Sequence, residues 1–311
     1  AVCARTYTYF HKQKYAYPDW KAHMDDSTAF QVYGNCDESP DANRAVDATK
    51  NQVLTYKEEI VESFYYSTSG GYNGGAGVWM NTVPGEDSYL TETGNELYAS
   101  NSEEGELAYK QYIDNGNAED VEYGEAWYRW NYDKVLDASA AKKMFQKLYS
   151  LSLAQPHAVR IRSRLLSSDK ILEEKAVRDI RILGRRKSGL VTGIIIDTEN
   201  FRVSVMSQHA IRQALGCDDD VIYRKDGSAY TMGDLLPSAY FYIEKSYDNN
   251  GESGDNLKQI TIHGAGFGHG CGMSQNGAKA LAEKGLTADR ILAYYYKGSI
   301  RAAGAIDRTA R

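Results

Sequence analysis

The 311-residue chain has no Cys-x-x-Cys pair; its four cysteines, Cys3, Cys36, Cys217 and Cys271, lie far apart. That spacing excludes a zinc knuckle and a dense disulfide framework, and it leaves the redox compartment open. No apolar run reaches the roughly 18 residues of a spanning helix, so the stretch contains no helical membrane span. Positive charge is not in excess either: 36 basic against 42 acidic residues give a net charge of -6, so no nucleic-acid partner is expected. Internal repeats and low-complexity linkers are missing, which argues against a clean division into two domains. What the chain does have is 42% hydrophobic residues, enough for a substantial core, and 25 tyrosines, which with Asn and Ser suit polar, ring-shaped ligands such as carbohydrate.

Ala1 to Phe10 reads as helix interior, with no initiating methionine, cap or signal peptide, so the chain is expected to begin part-way through an element. A polar loop from Tyr15 to Ser39 and a short helix over Asp41 to Thr49 follow. Gln52 to Tyr56 and Ile60 to Tyr65 have the β-branched and aromatic character of a hairpin turning at Lys57-Glu58-Glu59. Residues 96–125 are rich in Asp and Glu and poor in aliphatics, and are expected to be an acidic surface insertion. Met144, Leu148 and Leu151 recur at helical spacing. Strands are expected over Ala176 to Leu183, Leu190 to Asp197, Phe201 to Met206, Ala239 to Ile243 and Leu257 to His263. Helices are expected over Gln208 to Leu215, Ser274 to Glu283 and Ala288 to Tyr296. The fold class is α+β.

The sharpest local signal is Gly264-Ala265-Gly266-Phe267-Gly268-His269-Gly270-Cys271-Gly272-Met273-Ser274-Gln275, with glycine at alternate positions around one histidine. Glycine removes side chains and permits positive φ at an entropic cost, so backbone must come close to something here. His269 becomes the candidate catalytic residue, and Ser274 a cap for the helix that follows. A nucleotide loop is excluded, since neither the Lys-Ser/Thr ending nor a βαβ unit with a downstream acid is present. A second candidate loop is Ser67-Thr68-Ser69-Gly70-Gly71-Tyr72. His11, His23, Asp25, Asp26 and Cys36 match no metal spacing. A metal-dependent hydrolase centred on His263 and His269 ranks last, with His263 read as structural. The basic stretch from Arg160 to Arg181 reads as a solvated face.

Taken in order, these segments resemble the SpoIID family, which includes the sporulation protein SpoIID and the amidase enhancers. Ala4-Arg5-Thr6-Tyr7 resembles the end of the family's Ala-Gln-Ala-x-Ala-Arg-Thr-Tyr helix, and Gln31-Val32-Tyr33-Gly34 its Gln-x-Tyr segment. Ala45-Val46 through Val53-Leu54 and Tyr66 to Tyr72 are similar to further family segments. So are Ser238 to Ile243, Gly266 to Ala278 and Tyr295 to Ser299. The resemblance implies one SpoIID-like domain over 1–311 lacking its N-terminal part, with a groove between the two glycine-rich loops. It implies a peptidoglycan lytic transglycosylase acting on stripped glycan strands during wall remodelling, including sporulation engulfment. The alternative is a non-catalytic glycan-binding module that enhances an N-acetylmuramoyl-L-alanine amidase. Glycan-contacting residues would be Tyr33, Ser67, Thr68, Ser69, Gly70, Gly71, Tyr72, Gly268, Ser274 and Gln275. The family's catalytic glutamate, in a Glu-Met-Pro segment, would fall before Ala1, so this stretch alone is expected to be inactive. The zinc of some family members is not expected, because Ala29 and Phe30 stand where ligands would be needed, and no other cofactor is called for. The implied partners are glycan strands and a wall amidase. The implied location is the extracytoplasmic cell envelope, with any membrane attachment through a segment outside this sequence.

Overall fold

The computed structural model describes residues 1–79, 88–163, 165–249 and 255–302. Arg164, in the basic stretch, lies outside that set.

The opening helix α1 (Val2–His11) turns Val2, Cys3, Thr6 and Tyr7 inward. Its Arg5 donates to the Thr49 and Gln52 carbonyls at 2.6 and 3.1 Å, closing the end of α2 (Pro40–Ala48) with a cation where the helix dipole favours one. Thr6 Oγ1 accepts the Leu54 N–H at 2.9 Å, which docks α1 on β1 (Gln52–Tyr56). The Ala-Arg-Thr-Tyr pattern is thus a set of anchors between helix and strand. β1 lies between β14 (Ser299–Ala302) and the two-residue β2 (Glu59–Ile60) in an antiparallel sheet. The expected hairpin is therefore shorter than its sequence pattern: Val61 to Phe64 leaves the ladder. The chain re-enters as β3 (Tyr65–Tyr66), in parallel with β13 (Met273–Ser274).

The central sheet is antiparallel, in the order β10 (Ala229–Thr231), β9 (Val221–Arg224), β4 (Trp130–Val135), β12 (Leu257–Gly264), β11 (Phe241–Tyr247). A second antiparallel sheet runs β5 (Val159–Arg162), β8 (Arg202–Met206), β7 (Val191–Asp197), β6 (Asp179–Arg185). On it pack α4 (Ala138–Ala154) and α5 (Gln208–Leu215), burying Phe145, Leu148 and Ile211. The closing helices α6 (Gln275–Glu283) and α7 (Ala288–Tyr295) pack on each other. Helices are interspersed among sheets that pair antiparallel, apart from the short parallel β3–β13 pair, and this is the α+β class expected.

Residues 96–125 correct the sequence reading. They hold α3 (Glu103–Asn115), capped by Ser102, and bury Tyr98, Tyr109, Ile113 and Glu122 in the core. Arg185, its side chain fully buried, donates two hydrogen bonds to Glu106 and lies 3.9 Å over the Tyr109 ring. The acids face water on one side of α3, while tyrosines supply the apolar stripe that aliphatics usually supply. This segment is wall, not decoration.

Candidate functional site

The two glycine-rich loops do meet. Thr68 N–H donates to the Phe267 carbonyl at 3.1 Å, and Phe267 N–H to the Thr68 carbonyl at 2.8 Å. Ser274 caps α6 by accepting the Gly277 N–H at 3.1 Å, and the same oxygen takes the Ser69 N–H at 3.2 Å. Asn276 N–H reaches the Ser67 carbonyl, and its side chain donates to Thr68 Oγ1 at 2.8 Å. Ser67, Thr68, Ser69, Gly70, Gly268 and Ser274 are therefore neighbours. Tyr72 is half-buried against Tyr112 with ring centres 5.0 Å apart, and Gln275 stands exposed at the start of α6. Tyr33 is 67% exposed on its own loop and is not brought to these residues. From the Gln31-Val32-Tyr33 segment it is Gln31 that engages: it accepts from the Tyr65 hydroxyl at 2.6 Å and donates to Thr8 at 2.9 Å.

Among the described residues the two loops are seated on each other, and the cavity between them measures about 10 Å³, smaller than a sugar ring and close to the least that holds one water. The reason lies in the glycines. At Gly272, with φ +76°, a Cβ would run into the Phe64 carbonyl. At Gly266, with φ +75°, it would stand 2.7 Å from the Thr68 carbonyl oxygen. Alternate glycines here let backbone seat on backbone, and a ligand could engage only the outer rim.

His269 completes that seal. Its Nε2 is 3.1 Å from the Tyr65 carbonyl, and Nδ1 accepts the Cys271 N–H at 3.1 Å, an arrangement that puts the proton on Nε2. Burial, helped by the Arg212 charge, lowers its pKa to about 4. Both nitrogens of a neutral ring are thus held by backbone, which ties β3 to the glycine loop. Moving a proton through this ring would break one of those bonds.

Two carboxyls that the sequence left without a role flank this assembly. Glu122, 4% exposed, accepts the Ser69 N–H at 3.3 Å, and burial holds its carboxyl above the usual range. It braces the Ser67 to Tyr72 loop from inside, as do Tyr112 and Arg129, both donating to the Gly70 carbonyl. Glu62 is different because it is half-buried. Just past β2, its Oε1 stands 3.0 Å from His11 Nε2 of α1. Burial raises the Glu62 pKa to about 7 and lowers that of His11. Tyr89 clasps the Glu62 backbone, its hydroxyl accepting the N–H at 3.1 Å and donating to the carbonyl at 3.3 Å. Tyr7 lies tilted against the His11 ring with centres 4.3 Å apart, and Phe64 packs edge-on against Tyr7. A carboxyl poised near neutrality beside an imidazole can give or take a proton at cellular pH. From the sequence Glu62, like Glu58 and Glu59, falls in the expected hairpin and is not nominated as the acid; periodicity carries no signal for its burial.

Among the described residues no group of three or more His, Cys, Asp or Glu is placed to hold a metal ion. Of the front candidates, His23 bonds the Lys14 carbonyl, and Asp25 takes hydrogen bonds from Tyr17 and Ser27. His263 lies stacked on Tyr242 in the central sheet.

Fold and site together define an α+β domain whose glycine-rich loop before α6 is locked to a Ser-Gly-Gly loop after β3. Over residues 1–56 the chain matches the SpoIID family, Stage II sporulation protein. It is 27% identical over 281 residues to the amidase enhancer of Bacillus subtilis (strain 168), a match covering 88% of this chain and 34% of that protein. It is 55% identical over 40 residues to Stage II sporulation protein D of the same organism, covering 13% of this chain and 12% of that one. These matches bear out the resemblance read from the motifs: the chain is similar to the SpoIID family, with the family match itself confined to residues 1–56. It spans about a third of the length of the amidase enhancer and about an eighth of the sporulation protein.

Proposed function

We propose that the protein engages the glycan strands of peptidoglycan in cell-wall remodelling, outside the cytoplasmic membrane, and that in its intact form it cleaves them as a lytic transglycosylase. The observation that supports this reading is Glu62, a partly accessible carboxyl with a pKa of about 7 beside His11. The reaction needs an acid that protonates the glycosidic oxygen as the C1–O bond breaks. The resulting carboxylate then takes the proton of the muramyl O6 hydroxyl while that oxygen closes onto C1. No water is consumed and the acid regains its proton. The resemblance assigns this step to a glutamate upstream of Ala1, so two carboxyls compete for it. The closed loops supply a rigid frame, with His269 as the staple that holds them in register.

The test is digestion of stripped glycan strands by the chain with its upstream coding segment restored, read by mass spectrometry for anhydromuramyl ends. Ends that vanish in Glu62→Gln assign the acid to this chain; ends that vanish only on changing the upstream glutamate assign it there. A second reading rests on the relative matched over most of this chain, which is named an amidase enhancer. Strands bound but uncut, with a wall amidase stimulated by the added domain, would favour it and sink the transglycosylase.

A further inference from the structure

At the corner where β9, β4 and β12 meet the glycine loop lies a cavity of about 420 Å³. Three cations line it: Arg129, Arg224 and Lys225. Among the described residues none of the three is within ion-pair distance of a carboxylate. Arg129 spends its guanidinium on the Ile113, Tyr112, Tyr128 and Gly70 carbonyls and the Tyr128 hydroxyl, with its charge 3.8 Å over the Tyr128 ring. Lys225 donates to the Tyr123 carbonyl and lies over the Tyr123 ring. Arg224 rests 5.3 Å over Trp127, and its Nε is buried without a hydrogen-bond partner. His263 Nε2, on the same wall, is also buried without one, Glu244 being 3.4 Å away. Asp114, the acid on the wall, is already held by Lys110 at 2.8 Å and by the Tyr242 hydroxyl.

In a chain of net charge -6, three clustered cations satisfied by carbonyls and ring faces leave charge unneutralised, and a buried unpaired Arg Nε is a donor in want of an acceptor. Partial burial and then the Arg129 charge lower the Lys225 pKa. The cavity also communicates with the locked loops: Arg129 bonds the Gly70 carbonyl, and the Trp127 carbonyl accepts the Gly266 N–H at 2.9 Å. We propose that this cavity is an oxyanion-binding site that takes a carboxylate of the bound glycan. The choice of glycan rests on the function proposed above. A muramyl residue stripped of its peptide bears a free lactyl carboxylate, whereas the peptide-bearing residue presents a neutral amide at the same atom. The site would therefore distinguish stripped from peptide-bearing strands by charge, with Arg224 as the fork and Lys225 as the point charge.

The experiment uses the full chain and its Lys225→Gln and Arg224→Gln variants, with folding checked by circular dichroism. Lys225 is exposed, so that variant is expected to fold even where Arg224→Gln does not. Labelled stripped strands are titrated at low and high salt, beside strands whose lactyl carboxyls have been coupled to methylamine. The expected result is a roughly tenfold loss of affinity in either variant and a shallower salt dependence. Methylamide strands should bind the unaltered chain as weakly as stripped strands bind the variants. Equal binding of acid and amide strands, or unchanged affinity in Lys225→Gln, overturns the site. Acetate and inorganic phosphate serve as separate probes, read by shifts of the Lys225 and His263 side-chain NMR signals. Shifts with acetate but no strand binding keep the oxyanion site while the glycan reading fails. Shifts with neither probe overturn the site itself, and a response to phosphate alone overturns the carboxylate assignment.

Discussion

Replacing Glu62 with Gln tests the central electrostatic argument, because the amide keeps the shape beside His11 but cannot ionise. A free glutamate carboxyl titrates near 4.5, and in the fold that of Glu62 is raised by burial to about 7. Below 4.5 the group is protonated in both folded and unfolded chains and contributes no pH dependence. Between 4.5 and about 7 the unfolded chain ionises while the folded one resists, so stability is progressively lost as pH rises through this window. The displacement corresponds to about 3 kcal/mol, and with 25% of the side chain in contact with water about 2 kcal/mol is the better expectation. Urea unfolding followed by tryptophan fluorescence, at pH 4.5 and pH 8, measures it. The variant should gain about 2 kcal/mol relative to the parent between the two pH values. A difference that stays the same at both, within about 0.5 kcal/mol, or that changes in the opposite direction, refutes a buried, neutral-leaning carboxyl at this position.

Gly272→Ala should lose about 2 to 4 kcal/mol, since it puts a Cβ against the Phe64 carbonyl at φ +76°. Its urea midpoint, if unmoved, would show that the loops are not seated on each other. Tyr109→Ala, at a side chain 1% exposed, should lose about 3 to 5 kcal/mol. A change under about 1 kcal/mol would restore the view of 96–125 as a surface insertion. His269 should remain neutral at pH 5.5 by ¹⁵N imidazole shifts, because its pKa is lowered to about 4. Its share of stability is complete above the ordinary histidine value and is lost as pH falls through that value toward 4; an imidazolium at pH 5.5 would contradict the backbone-bonded ring.

Much of the framework was legible along the chain, for identifiable reasons. Helices such as α4 and α5 show their buried stripe at helical spacing, and β7 and β8 their β-branched runs. The motif order by itself pointed to the SpoIID family. α3 escaped because its buried face is made of Gly105, Tyr109 and a single aliphatic, Ile113, set among acids that read as solvated. β4 escaped although Trp130-Asn131-Tyr132-Asp133-Lys134-Val135 alternates buried and exposed, an available signal obscured by its polar residues.

What the sequence determined by itself is local: where glycine permits positive φ, where serine caps a helix, which residues alternate. Tertiary structure alone decided what those features meet. Whether alternate glycines receive a ligand or another backbone depends on a strand some 200 residues earlier, and here Phe64 and Thr68 occupy the space. Whether Glu62 is an ordinary surface acid or a proton-holding one depends on its removal from water beside α1. Charge left uncancelled at Arg129, Arg224 and Lys225 exists only once the pairing of β4 with β9 brings those cations to one corner. Burial and long-range pairing set these properties, and neither is written in the spacing of neighbours.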